Sequence, residues 1–324
     1  MPQNRLMGEN TPVPVLLDCD PGHDDMFAIL LAAAHPGIDL LAVTTVAGNG
    51  PLDAVTLNAR KICTAAGLKN MIIAAGADRA LNGARYTAPR IHGESALDGT
   101  ELPDPEVPLA DDDAVTVMAR LLTESERPVT IAPTGPLTNV ATLLDRHPEV
   151  RPKIERIVFM GGTTGRGNRH PLAEFNVWAD PEAADIVLRS GLPLVMCGLD
   201  VTHQAITGPE EFARLRAIGG SFPAALAASL DFYGNSYREV FGMPGPPLHD
   251  PVAIAAIAEP DVVRGVPASV VVELTGEYTR GATVVDLYGV TGRPANAQVA
   301  LELDRDRFWN LVLDAVDTLA RATA

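Results

Sequence analysis

Eight residues near the start of the chain, Asp18-Cys19-Asp20-Pro21-Gly22-His23-Asp24-Asp25, carry four carboxylates. They follow the apolar run Val13–Leu17, and Pro21 and Gly22 force a turn. Asp24 and Asp25 then open a helix predicted to run from about Asp24 to Ala34. Capping and a solvated turn account for one or two aspartates at such a place, not for four. Two like charges about 4 Å apart repel by about 4 kcal/mol at an effective dielectric of about 20. A helix dipole and cap offset about 1 kcal/mol of that. A bound cation would settle the balance, and hard oxygen ligands suit Ca²⁺ or Mg²⁺ rather than zinc. Strand alternation sends Asp18 and Asp20 to one side and Cys19 to the other, so Cys19 reads as a packed thiol.

Further polar groups follow later apolar runs. The second predicted strand ends in Ala47-Gly48-Asn49-Gly50, and the fourth in Pro133-Thr134-Gly135-Pro136-Leu137-Thr138-Asn139. The fifth ends in Gly161-Gly162, with Asn168, Glu174 and Asn176 just beyond. In a parallel sheet these ends share one rim with the acidic turn, where open α/β sheets place their ligands. Amides and carboxylates gathered there suit a hydroxyl-rich ligand such as a sugar; each taken alone is also ordinary turn chemistry. Leu248-His249-Asp250-Pro251 opens an apolar helix, Val252–Ala258. Asp250 fits an N-cap with Pro251 at the first helical position, and His249 is either an ordinary histidine or a general acid near neutral pH. His92, in a long loop, is a second candidate for substrate contact, whereas His35, His147, His170 and His203 lack comparable surroundings.

The elements that must hold these groups alternate between strand and helix. Predicted strands are Leu40–Val46, Met71–Ala75, Val129–Ala132, Ile154–Met160 and Leu194–Cys197. Predicted helices are Leu52–Ala66, Asp111–Thr123, Leu137–Asp145 and Pro181–Ser190. Ala80 to Leu109 reads as a long functional loop. This pattern predicts an α/β fold with a mixed, mainly parallel central sheet flanked by helices. The last third departs from it. Helices Glu210–Ala217 and Phe222–Val240 precede a Gly- and Pro-rich loop, Phe241–Leu248. Ser269–Leu274, Thr283–Tyr288 and Gln298–Leu303 are spaced like antiparallel edge strands, and a helix from about Arg307 to Arg321 closes the chain. No linker divides these parts, so residues 1–324 are expected to form one domain, with 1–11 flexible.

Composition sets the outer bounds. The chain has 324 residues, 47% of them apolar and 20% charged, which is globular and not disordered. With 25 basic and 41 acidic residues the formal charge is −16, which gives no reason to expect nucleic acid or an anionic membrane as partner. Three cysteines without a CxxC make no disulfide framework. The polar start and the lack of a long apolar run lead to the expectation of a soluble, cytoplasmic protein.

Taken together, DCDPGHDD at 18–25, AGN at 47–49, the His92–Gly99 segment, PTGPLTN at 133–139, Asn168 with AEFN at 173–176, DPEAA at 180–184 and LHDPVA at 248–253 resemble the nucleoside hydrolase family, inosine–uridine-preferring type. The resemblance implies a Rossmann-like, nucleoside-hydrolase fold. It also implies Ca²⁺-dependent hydrolysis of the N-glycosidic bond of ribonucleosides, purine or pyrimidine, for nucleoside salvage by a homodimer or homotetramer. By matching positions, Asp20, Asp25, Asp250 and the Thr134 carbonyl would hold the metal. Asp20 would also be the base that deprotonates the attacking water. Asp24, Asn49, Asn168, Glu174 and Asn176 would hold the ribose. His249 would protonate the leaving base, with His92 near the base pocket. Tyr233 or Tyr237 would stack on the base, whereas Trp178 and Trp309 are not placed like the stacking tryptophans of purine-specific members. Ala96 stands where the family has a glycine in a mobile loop. Two other readings remain at this level: an aspartyl-phosphate phosphatase starting at Asp18-Cys19-Asp20, and a non-catalytic sugar- or calcium-binding module.

Overall fold

The structure, a computed structural model, describes residues 11–323. The flexibility expected of residues 1–11 therefore lies, Thr11 apart, outside the described residues. In chain order the elements begin β1 (Val13–Cys19), α1 (His23–Ala34), β2 (Ile38–Thr45), α2 (Leu52–Ala65), β3 (Ile73–Ala75), α3 (Pro89–His92) and α4 (Ala114–Glu124). They continue with β4 (Val129–Pro133), α5 (Thr138–Arg146), β5 (Ile154–Met160), α6 (Phe175–Ala179), α7 (Pro181–Leu188), β6 (Leu194–Cys197) and α8 (Leu199–Thr202). The last are α9 (Pro209–Ile218), α10 (Ser221–Phe241), α11 (Asp250–Ala258), β7 (Val263–Val272), β8 (Thr283–Asp286), β9 (Ala297–Leu303) and α12 (Arg305–Thr323).

One nine-stranded mixed sheet runs β3-β2-β1-β4-β5-β6-β9-β7-β8. Its first six strands are parallel. β1 sits among them as Val-Pro-Val-Leu-Leu-Asp-Cys, buried from its second residue on, because a parallel strand covered on both faces has no polar side to show. One apolar layer carries α1, α10, α11 and α12, and the other α4, α5 and α7. α1 packs between the sheet and the helices α11 and α12 and buries ten of its twelve residues, Asp24 and Asp25 included. Strand order reverses between β1 and β4, so the crevice that receives ligands in such sheets opens beside the turn after β1.

The C-terminal strands correct one expectation. Gln298–Leu303 is not an edge. β9 lies inside the sheet, parallel to β6 through Val195↔Gln298 and Met196↔Val299, and antiparallel to β7. Its alternation suggests one exposed face, yet Val299 and Ala300 are both buried, because an apolar layer covers each face of the sheet at that point. β7 also begins earlier than Ser269. Its first half, with Gly265 and Pro267, pairs with β9 around a register shift between Arg264 and Gly265. Only β8 is an edge at that end. Among the described residues no helix is long and apolar enough to cross a membrane.

Candidate active site

A cavity of about 460 Å³ opens over the carboxyl ends of β1, β4 and β5, between α3 and α10. The acidic turn forms its floor. Asp20, Asp24 and Asp25 lie within the first turn of α1 or just before it, and Asp250 is the first residue of α11. All four are at most 4% exposed. Oxygens of Asp24, Asp25 and Asp250 lie within 4.8 Å of one another, although more than 220 residues separate the first two from the third in sequence. Asp25 accepts hydrogen bonds from Gly22 N (3.1 Å), Asn49 Nδ2 (3.1 Å) and the Thr134 hydroxyl (3.0 Å). Asp20 Oδ2 accepts the Asn49 backbone N–H at 2.7 Å, while its Oδ1 is buried without a partner. Gly48 makes this approach possible, because a Cβ there would collide with the Asp20 carboxylate.

Electrostatically this group is strained. Burial, then the neighbouring Asp25 charge, pushes Asp20 well above the usual carboxylate range. Asp24 is raised by the same two causes to about 7, partly offset by the Tyr233 hydroxyl and the His249 backbone N–H. Asp25 is raised by burial, and Asp250 by burial and then by Asp24, Asp25 and Asp20. Four buried carboxylates that form no ion pair among the described residues, one keeping an unbonded oxygen, fit a hard divalent cation. The carboxylate trio within 4.8 Å contains Asp24 and not Asp20, so a residue that the sequence reading assigned to the sugar stands where a cation would fit.

The fourth aspartate of the turn does something else. Asp18 accepts from the Thr44 hydroxyl (2.7 Å) and Asn139 Nδ2 (2.8 Å), and burial raises it to about 7. It is fully enclosed within the sheet and does not line the cavity, so it has no route to act as a phosphatase nucleophile. Cys19 points into the apolar layer with its Sγ near Thr44 O, as alternation implies.

The remaining candidates divide between cavity and scaffold. Asn49, His92, Asn168, Glu174, Asn176 and His249 all line the cavity. Glu174 caps α6 by accepting Asn176 N and Val177 N, and also takes Gly162 N (2.9 Å); burial lifts it to about 7. Asn168 Oδ1 accepts Phe175 N, which ties its loop to α6. Asn176 Nδ2 donates to the Thr134 carbonyl at 2.7 Å, so one lone pair of that carbonyl is already engaged. His92 Nδ1 lies 3.2 Å from His23 Nδ1, and His23 Nε2 donates to the Asp98 carbonyl.

His249 is held at both ring nitrogens, by the Thr202 hydroxyl at Nδ1 and the Tyr237 hydroxyl at Nε2, each at 2.7 Å. Tyr233 has His23 stacked on it at 5.1 Å, and Tyr237 meets Tyr233 edge-on. Both tyrosines line the cavity, whereas Trp178 packs with Tyr86 and Arg169 outside it and Trp309 is buried in α12. His23, the Tyr237–His249 contact, Arg90 and Arg169 went unnoticed in the sequence. His23 sits inside the acidic motif, and the i, i+4 spacing of Tyr233 and Tyr237 signals a shared helix face. Ala96 has φ +63°, the left-handed conformation that glycine adopts freely.

Residues 15–310 match the family described as inosine-uridine preferring nucleoside hydrolase. A pyrimidine-specific ribonucleoside hydrolase, RihA, from Shewanella woodyi is 47% identical over 309 residues, covering 95% of this chain and 99% of the relative. The protein of the same name from Escherichia coli O1:K1 is 47% identical over 303 residues, covering 93% and 97%. Among solved structures, a purine-preferring ribonucleoside hydrolase from Gardnerella vaginalis superimposes with a TM-score of 0.89 at 32% identity, covering 95% of this chain and 99% of that one. The plant nucleoside hydrolase PpNRh1 follows at 0.86 and 29% identity, covering 94% and 99%. With a family match over residues 15–310 and relatives 47% identical over nearly the whole chain, the chain belongs to the inosine-uridine preferring nucleoside hydrolase family.

Proposed function

We propose that this protein is a Ca²⁺-dependent N-ribohydrolase that splits ribonucleosides, pyrimidine ribonucleosides foremost, into ribose and free base. The observation that carries the reading is the buried, unpartnered Oδ1 of Asp20 beside the meeting point of Asp24, Asp25 and Asp250. The pyrimidine preference rests on the printed names of the relatives at 47% identity. A role in nucleoside salvage, a cytoplasmic location and a dimeric or tetrameric state belong to the same proposal.

Asp20, Asp25, Asp250 and the free lone pair of Thr134 O would hold the ion, with Asp24 close enough to share it. When bound, Ca²⁺ supplies positive charge that keeps these carboxylates ionised and makes a nearby water more acidic. Asp20 also takes the proton of the attacking water. Asn49, Asn168, Glu174 and Asn176 bind ribose hydroxyls and hold the ring as positive charge develops at the anomeric carbon. At the other end the Tyr237 hydroxyl, hydrogen-bonded to His249 Nε2, faces the leaving base, so the pair supplies the proton that the departing nitrogen needs. His92 and Tyr233 shape the base side of the cavity.

A reducing-sugar assay over uridine, cytidine, inosine, adenosine and guanosine, with metal analysis of the purified protein, tests this. Ribose release fastest from uridine or cytidine, with about one calcium per chain, is the expected result. No ribose from any nucleoside would overturn the activity, and a calcium-free protein of full activity would overturn the cofactor.

A further inference from the structure

The family match and the sequence motifs leave Thr202 without a role, yet it makes the only protein contact to His249 Nδ1 among the described residues. We propose that Thr202 is a positioning residue, whose hydroxyl fixes the His249 ring so that Nε2 meets Tyr237 and the leaving base receives its proton. This inference rests on the proposed reading of His249 and Tyr237 as the acid pair.

A histidine side chain turns about two bonds, and a ring held at one nitrogen can still swing about that contact. A second hydrogen bond at the opposite nitrogen removes the swing. Here the two partners lie at equal 2.7 Å distances on the two nitrogens. Thr202 is fully buried, and its hydroxyl makes no other hydrogen bond among the described residues. A threonine hydroxyl both donates and accepts, so it holds Nδ1 with or without a proton there.

The mounting is rigid. Thr202 closes the one-turn helix α8, directly after β6. Leu199 N donates to the Gly162 carbonyl, tying the start of that turn to the end of β5. Two residues beyond Thr202, Gln204 spans β9: its Nε2 donates to Leu301 O (2.7 Å) and its Oε1 accepts Leu303 N (3.0 Å). The segment then runs antiparallel to the one that carries His249, through Leu248 N to Ala205 O and Thr207 N to Pro246 O. Thr202 and His249 thus stand on two strands of backbone whose register is already set. Tyr237 comes from a third element, α10. These contacts set the ring of His249 from the side away from the acidic turn, while its backbone N–H and the neighbouring Asp250 face Asp24.

The test uses Thr202→Val, Thr202→Ser and His249→Ala in the calcium-loaded full-length protein, on uridine and on p-nitrophenyl β-D-ribofuranoside. The second substrate releases a phenolate that needs no proton. Thr202→Val should lower kcat for uridine on the order of tenfold, with KM within about twofold, and leave the nitrophenyl riboside nearly unchanged. Thr202→Ser should restore uridine turnover, and Thr202→Val added to His249→Ala should cost nothing more. Equal losses on both substrates would make Thr202 a merely structural residue and overturn the proposal. Equal losses in His249→Ala itself would overturn the acid reading on which it stands, while a substrate-selective His249→Ala beside a neutral Thr202→Val would overturn the Thr202 role alone. If the valine variant does not fold, Thr202→Ala, which removes the hydroxyl and adds no bulk, carries the same comparison.

Discussion

Stripping divalent cations from the protein should make its stability fall as pH rises, and calcium should cancel that fall. Asp24 shows the size of the effect. Burial and the Asp25 charge raise its carboxyl from 3.8 to about 7 in the folded protein. Between those values the folded chain keeps a proton that the unfolded chain has lost, so this stability is full below about pH 4 and is lost as pH climbs to about 7. Each unit is worth about 1.4 kcal/mol. From pH 5 to pH 8 Asp24 alone then removes about 3 kcal/mol, or roughly 4 °C of Tm for a chain of this size. Asp20, Asp25 and Asp250, raised as well, push in the same direction. Asp18 and Glu174 are also raised to about 7, but by burial away from the trio, so they titrate with or without an ion. The diagnostic quantity is therefore a difference: the rise in Tm on adding calcium to chelator-treated protein, read by calorimetry at pH 5 and at pH 8. At pH 5 calcium must displace protons; at pH 8 it meets carboxylates that have no other counter-charge. The rise should be larger at pH 8 by several degrees. An equal rise at both values, or a larger one at pH 5, would refute the idea that these aspartates share an ion.

Three further outcomes follow from single contacts. Asp20→Asn keeps the shape of the side chain and its approach to Asn49 N but cannot take a proton, so ribose release should fall at least about 100-fold at saturating calcium, and activity within about tenfold of the parent would remove Asp20 from the role of base. Tyr237→Phe deletes the hydroxyl that meets His249 Nε2, so uridine turnover should drop by about tenfold or more while the nitrophenyl riboside is spared; equal losses would exclude Tyr237 from proton delivery. Gly50→Ala would place a Cβ 2.7 Å from that of Ala96, an overpacking that should cost about 1–3 kcal/mol. Adding Ala96→Gly removes both the clash and the strain of a Cβ at positive φ, and the double variant should recover most of the lost Tm; failure to recover would show that the two loops do not press on each other.

What the sequence made legible, and what it hid, divides along the range of the forces involved. The run into Asp18, the turn at Pro21-Gly22 and the helix after it are local, and each appears in the structure within a residue or two of its reading. The interior position of β9 is not local: the strand's alternation describes its own side chains, while its place between β6 and β7 depends on elements far away in sequence. The polar residues show the same division more sharply. Asn139 and Asn176 sit in equally suggestive motifs, yet Asn139 spends its amide on Asp18 and the Thr45 carbonyl inside the sheet, while Asn176 turns to the cavity and braces Thr134. An amide's chemistry is the same in both, so spacing alone cannot sort them. Only the fold says which carbonyl or carboxylate is within 3 Å. The acid end carries this furthest, since Thr202, Tyr237 and His249 come from three separate elements and meet through two hydrogen bonds that no motif spells out. Clustered carboxylates stand out in a sequence. The groups that aim a histidine need only a hydroxyl, which is why the acidic cluster and His249 can be read from the chain, while the two hydroxyls that hold the His249 ring have to be read from the structure.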